Sequence, residues 1–358
     1  MASLLLDGRP PGGRTVADVV AWFGAMQGQD FASVAWSLGL RTGLSREEVG
    51  SAFESGEILR TWPMRGTLHV LPGADARWML EHLGARAVRR AGARRLQLGL
   101  STADADRAAN VLGEALSGGQ AMTRAECVAV LQGAGLPVDG QRAYHLLWHA
   151  SQTGVTCVGP QRGSQQTFVL LDEFAHAAVH LDRPAALATI AERFVRSHGP
   201  VSVHDLARWA DITVGDARDG LAGAEGIVRR RFDGRDLFVG EACHDEAVAD
   251  GAGQGLPAWA LPGFDELVLG YRDRTAQIDA DAEARVVPGG NGVFAPTLVV
   301  DGRVVGTWRR RELARAVQIV ATPFTRIRAA DRRRLAGALE RFAAFLGKPG
   351  RIGWSDRS

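Results

Sequence analysis

Residues 24–36 read GAMQGQDFASVAW, placing Gln27 and Gln29 one residue apart with Asp30 directly after them. A carboxamide offers a carbonyl acceptor and two N–H donors, so two of them can hold a water and a phosphate or base oxygen together. The same pair at the end of a helix can do no more than cap it. A second concentration is RTWPMRGTLHVLP, with Arg60, Trp62, Arg65 and His69. Residues four apart on a strand share a face, so Arg65 and His69 are expected to project together. His69 either orients a phosphate or relays a proton, or it is a satisfied structural residue; Arg65 is the better anion ligand. A third is LPGFDELVLGYRDR, where Asp265, Glu266 and Asp273 form either a carboxylate site or strand-end acids paired with Arg272 or Arg274.

Positive charge is clustered. EHLGARAVRRAGARRL sets Arg86, Arg90 and Arg94 four apart, on one helix face, with Arg89 and Arg95 beside them. VRRRFDGR and TWRRRELAR add further runs, the latter with Arg309, Arg310 and Arg311. Each run is either a solvated face or part of one phosphate-binding surface. The net charge of +2 conceals the asymmetry: residues 301–351 hold thirteen Arg or Lys against four Asp or Glu. All the bases but Lys348 are arginine, whose planar fork suits phosphate. No side chains that would read base edges can be picked out, and Walker, Rossmann, GxSxG and metal motifs are absent.

Cys127, Cys157 and Cys243 stand apart, so neither a disulfide framework nor a zinc site is expected, and a reducing cytoplasm fits. The three-leucine run near the start is too short for a signal sequence and no stretch is long enough to span a membrane, which predicts a soluble protein. At 358 residues, 46 % of them hydrophobic, several packed units are expected.

One order of elements recurs three times: short helices, then two apolar runs about a turn. The first copy opens with RTVADVVAWFGAMQ, where Val16, Val19, Val20 and Phe23 fall at helical spacing, and continues through Ser45 as an N-cap with Glu48 at the capping-box position. The second is capped at Thr123 with Glu126, and the third at Ser202. The third copy ends in a hairpin about Asp233-Gly234. Helix, capped helix, helix and hairpin is the order of a winged helix, a module that binds nucleic acid or protein. Boundaries are expected at 1–98, 99–183 and 184–245, with a Gly-, Ala- and acid-rich linker over 241–258 and a β-rich unit over 255–358. In that last unit Asp301-Gly302 marks another hairpin, and Leu335, Leu339, Phe342 and Leu346 line one face of a closing helix. The fold class is α+β, and the tail is expected to be a small twisted sheet or barrel with a closing helix.

In combination, MQGQD, RTWPMRGTLH, LPGFDELVLGYRDR and GVFAPTLVVDGRVVGTWRR resemble the bacterial winged-helix DNA-binding-domain-containing proteins, a group that includes the AlkZ- and YcaQ-type DNA glycosylases. The resemblance runs from about residue 14 to 350. It implies three tandem winged helices and a C-terminal β-barrel in a C-shaped molecule that grips duplex DNA. It also carries the glycosylases' Gln-aliphatic-Gln or Gln-aliphatic-Asp active-site motif onto Gln27 and Gln29; the sequence departs from it at the middle position, where Gly28 replaces the aliphatic residue. The expected activity is hydrolysis of the N-glycosidic bond of bulky N7-alkylpurines, interstrand crosslinks included, in repair or in self-resistance to a genotoxin. An N7-alkylated purine is already cationic, so its bond breaks without a strong acid; two amides position water and lesion, and Asp30 stabilises the developing sugar cation. Arg60, Arg65, His69, Arg86, Arg90, Arg272, Arg274, Arg309, Arg310 and Arg311 are expected to meet DNA. The expected partner is double-stranded DNA carrying alkylated purines, bound by a monomer with no metal or cofactor. The competing expectations are a non-enzymatic DNA-binding protein, either a regulator or a lesion-sequestering resistance protein, and a protein-interaction module.

Overall fold

The computed structural model describes residues 1–8, 13–241, 256–290 and 292–355. Residues 242–255, most of the expected linker, and Cys243 lie outside the described residues.

Thr15 caps the first helix, Val16–Phe23, in a capping box with Asp18. Gly24 ends it with φ 76° while its N–H bonds Val20 O, so the helix stops four residues short of Gln27. Beyond it Met26–Gln27 is a strand (β1), not the helix end that the sequence alone suggested. Helices Phe31–Thr42 and Arg46–Ser51 follow, the latter closed by the expected Ser45–Glu48 box. Strands β2 (Ile58–Met64) and β3 (Thr67–Pro72) then form a hairpin. Its turn is Arg65-Gly66, both at positive φ (57° and 70°), so Arg65 sits in the turn rather than on a strand. The β2–β3 register shifts between Thr61 and Met64, where Pro63 has no N–H to give.

In the second unit, helices Thr102–Ala115, Arg124–Gly133 (capped by Thr123 with Glu126) and Arg142–Gln152 accompany β4 (Met122–Thr123), β5 (Thr156–Arg162) and β6 (Gln165–Leu170). The first two hairpins do not stay separate: Arg60 pairs with Val158, giving one six-stranded sheet of order β1-β3-β2-β5-β6-β4. The third unit has helices Arg183–His198, Val203–Ala210 and Val214–Gly223 and an independent two-stranded sheet, β7 (Ile227–Phe232) with β8 (Arg235–Gly240), turned at Asp233-Gly234 as expected.

The tail is where expectation and structure part. Strands β9 (Trp259–Leu261), β10 (Thr297–Val300), β11 (Arg303–Glu312), β12 (Val317–Pro323) and β13 (Gly350–Trp354) form a sheet of order β13-β12-β11-β10-β9. It is open, not a barrel: β9 and β13 are its edges, and β9 has only three residues to offer. Helix Ala329–Phe345 covers the sheet instead, packing on β9, β10 and β13 and carrying the chain over so that β13 pairs parallel to β12. Leu335, Leu339 and Phe342 are buried beneath it, and Leu346 is half-buried. Trp36 stacks edge-on against Phe342 at 5.2 Å and lies 5.1 Å from Phe345, fastening the tail to the first unit. One hydrophobic core links the first unit, the third unit and the tail; Trp62, Leu68, Leu112 and Leu146 belong to a second core under the second unit.

Candidate active site

Gln27 lies opposite His69 in the β1–β3 ladder, and Gly28 N–H extends the pairing to Leu68 O at 2.8 Å. The two glutamine side chains brace this short edge. Gln29 N–H donates to Gln27 Oε1 at 3.2 Å, and Leu68 N–H donates to Gln29 Oε1 at 3.2 Å. Gln27 is 9 % exposed, whereas Gln29 is open to solvent. Each carbonyl keeps a second lone pair, and neither NH2 group donates to another of the described residues. Both amides are therefore held from behind with donors to spare.

Gly28 is pressed onto β3. A Cβ there would stand 3.1 Å from Val70 N and 3.2 Å from His69 C, tighter than ordinary contact. Asp30 faces away from the amides in its bonding: it caps helix Phe31–Thr42, accepting from Ala32 N–H at 3.1 Å and Ser33 Oγ at 2.6 Å.

Beneath Gln27 sits Glu266, 1 % exposed. Its Oε1 accepts Gln27 N–H at 3.3 Å, and its Oε2 accepts from Trp209 Nε1 at 3.1 Å and lies 3.2 Å from His198 Nε2. Asp265 is bound elsewhere: Arg41 grips it through Nη1 and Nη2 at 2.9 and 3.1 Å, and Ser37 Oγ donates at 2.9 Å. Burial alone would raise the Asp265 carboxyl, yet the Arg41 charge and these bonds hold it below its ordinary value. The pairing with Arg272 or Arg274 considered from sequence does not occur; Arg274 bridges Glu283 at 2.8 Å, and Asp273 pairs with Arg235 at 2.7 Å.

Arg65 and His69 do meet. Arg65 Nη2 lies 2.7 Å from His69 Nε2, and His69 Nδ1 lies 2.8 Å from Thr67 O. A guanidinium can only donate, so Nε2 accepts and the proton rests on Nδ1, facing the carbonyl. Burial, and then the Arg65 charge, drive the imidazole well below 6.5 and keep it neutral. Arg65 itself is pushed down to about 10 by burial, with Glu266 and Asp211 opposing, and stays charged at neutral pH.

Arg65 shares a depression of about 490 Å³ with Gly66, Arg90, Trp148 and Asp211. Arg90 pairs with Asp211, and Arg86 Nη1 donates to Asp211 O at 3.4 Å. Arg60 is buried in β2 with its guanidinium 4.7 Å over Phe31, and burial brings it down to about 10. Arg274 is likewise buried, whereas Arg272 is exposed. On β11, Arg309 and Arg311 are exposed and Arg310 lies over the Phe342 ring at 5.4 Å. The structure thus gathers Gln27, Gln29, Arg65 and His69, with Arg86 and Arg90 beside them, and leaves Arg272, Arg274 and Arg309–Arg311 on the tail. Glu266 was visible in sequence only as one of three acids; its part under Gln27 had no local signal. Among the described residues, no cluster of three His, Cys, Asp or Glu side chains could hold a metal, and no helix is long and apolar enough to cross a membrane.

With this geometry in place, comparison with known proteins is informative. The model of the family described as "DNA glycosylase AlkZ-like" matches residues 20–345. The chain is 26 % identical over 328 residues to a Streptomyces sahachiroi protein named "Interstrand DNA cross-link repair glycosylase", covering 87 % of this chain and 85 % of that one. It also superposes on the solved structure of Streptomyces sahachiroi DNA glycosylase AlkZ with a TM-score of 0.80 at 24 % identity, over 98 % of this chain and 96 % of the other. At that identity the likeness to the solved structure is one of fold.

Proposed function

The chain belongs to the AlkZ-like DNA glycosylase family, and from that premise we propose that it hydrolyses the N-glycosidic bond of bulky N7-alkylpurines in duplex DNA, interstrand crosslinks included. One observation carries the reading: Gln27 and Gln29 are fixed through their carbonyls on a strand edge and keep their NH2 donors open. In use, the free lone pair of one carbonyl orients the attacking water while the NH2 groups grip a phosphate or base oxygen. Alkylation at N7 has already made the purine a good leaving group, so neutral amides suffice. Asp30, next in sequence to Gln29, lends negative potential to the developing sugar cation while it caps its helix.

The three helix-and-hairpin units act as winged helices laid along the duplex. Arg65, Arg86, Arg90, Arg272, Arg309 and Arg311 meet phosphates, and Arg60, His69, Arg274 and Arg310 support that surface from beneath. The protein works as a cytoplasmic monomer, in repair or in self-resistance to a genotoxin.

The test is a gel assay for alkali-labile abasic sites in a duplex bearing one N7-alkylguanine. Wild type is expected to produce them and the double variant Gln27→Ala, Gln29→Ala to lose at least a hundredfold in rate. Binding without strand scission would point to the non-enzymatic alternative, and cleavage that survives loss of both amides would remove them from the site.

A further inference from the structure

Asp211 breaks two local rules at once. It closes helix Val203–Ala210 in the left-handed region (φ 56°, ψ 40°), where Gly or Asn is preferred. It also sets a carboxylate at a helix C-terminus, where the dipole favours a cation. What holds it there is tertiary. Arg86 and Arg90, from helix Ala85–Gln97 of the first unit, both pair with its carboxylate, and Arg86 Nη1 also donates to its carbonyl at 3.4 Å. Asn in its place would suit the backbone better and would forgo only this pairing.

Asp211 is the one acid in the depression that Arg65 and Arg90 share. The Arg65 guanidinium is desolvated by burial and spends one donor on His69 Nε2. Among the described residues no carboxylate lies within ion-pair distance of it; Glu266 and Asp211 act on it only from farther away. A buried cation without a paired anion is costly, so the depression is built to receive an anion from outside.

We propose that this depression seats one backbone phosphate of the duplex, and that in the free protein Asp211 takes the place of that phosphate, pairing with Arg86 and Arg90 until DNA displaces it. The inference rests on the DNA-binding reading above and adds how that site is regulated. A phosphodiester suits the seat better than Asp211 does, because its free oxygens can accept from Arg65 as well as from Arg86 and Arg90, whereas the carboxylate is fixed to a helix end and pairs with two of them. The ladder gives the phosphate its address. Arg65 bonds His69, and His69 lies opposite Gln27, so a phosphate held at Arg65 flanks the nucleotide presented to the amides. Displacing Asp211 breaks a contact between the first and third units, so undamaged duplex is held less tightly than the arginines alone would hold it.

The test is a double-mutant cycle on Asp211 and Arg90, read by fluorescence anisotropy with an undamaged, fluorescein-labelled duplex at one salt concentration. Asp211→Asn keeps a residue suited to the left-handed cap, and Asp211→Gly, which the same cap accepts, is expected to behave alike. Asp211→Asn should bind about two- to fivefold tighter, roughly the worth of one exposed ion pair. Arg90→Ala should weaken binding about two- to threefold in the wild-type background and about tenfold in Asp211→Asn, where the whole loss of a charge-assisted bond to phosphate is felt. Weaker binding by Asp211→Asn, as for an acid that orients the arginines toward DNA, overturns the proposal. So does tightening of the same size with Arg90 present or absent, as a long-range field would give, and so does unchanged affinity. A wild type that binds duplex but excises no N7-alkylguanine fails the functional reading alone, and the cycle still decides Asp211; one that binds no duplex overturns both.

Discussion

The backbone N–H of Gln27 is held by Glu266 Oε1 at 3.3 Å, across 239 positions of sequence. The same carboxylate takes the indole N–H of Trp209 and faces His198, so one buried acid ties the edge strand to the third unit and the tail. Replacing Glu266 with Ala leaves buried donors unpaired, and each costs about 1–3 kcal/mol. The expected loss is about 2–4 kcal/mol by urea denaturation, with Glu266→Gln losing less than half as much because the amide carbonyl still accepts from Gln27.

Gly28→Ala is expected to slow excision of any adduct about tenfold while costing about 1 kcal/mol of stability. The added methyl meets Val70 N and the His69 carbonyl carbon at 3.1–3.2 Å, so β1 must move off β3 by a few tenths of an ångström and take both amides with it. Single-turnover rates and melting curves separate the two effects.

Asp265→Ala is expected to destabilise the protein by about 3–5 kcal/mol, since it strands the buried Arg41 charge. The wild-type pair also has an acid signature. The Asp265 carboxyl titrates below its ordinary 3.8 when folded, so the unfolded chain binds the extra proton. Its contribution is complete above that value and declines as pH falls through the folded pKa. Asp265→Asn should flatten that acid limb in chemical denaturation as pH falls below about 4, roughly the ordinary carboxylate value.

His69 predicts a second slope at milder pH. Its folded pKa lies well below 6.5, so the unfolded chain again takes up the proton first, and stability falls as pH drops below about 6.5. The slope approaches 1.4 kcal/mol per pH unit, roughly the limit for a single proton. His69→Gln should remove that share of the slope between pH 7 and pH 5 while keeping an acceptor near Arg65.

Arg309 and Arg311 are exposed on β11, and the double Ala variant is expected to weaken DNA binding uniformly across sequences. The slope of log affinity against log salt should become shallower by about 2, at ~0.9 for each phosphate left unneutralised. Fluorescence anisotropy at several salt concentrations measures it.

Local chemistry was legible in the sequence. The caps at Ser45, Thr123 and Ser202 and the turns at Asp233-Gly234 and Asp301-Gly302 form where their residue types demand, because each motif satisfies its own backbone within a few residues. Partnership at long range was not. Alternation identifies a strand without naming its neighbour, so a five-stranded tail read as a barrel is an open sheet under a helix. β1 has only two residues and exists because β3 lies about forty positions ahead to receive it. The amides were found through a family motif; the geometry that holds them, from Leu68 and Glu266, is tertiary and left no trace in spacing.

The pairing of Arg60 with Val158 means that repetition in the chain is not independence in space. A fragment ending near residue 98 would bare the unpaired edge of β2 together with Trp62 and Leu68 from the second core. Such an edge invites strand addition from another molecule, so the first repeat alone should self-associate. The first repeat therefore cannot be separated from the second at that seam, nor from the third unit and the tail, with which it shares its core.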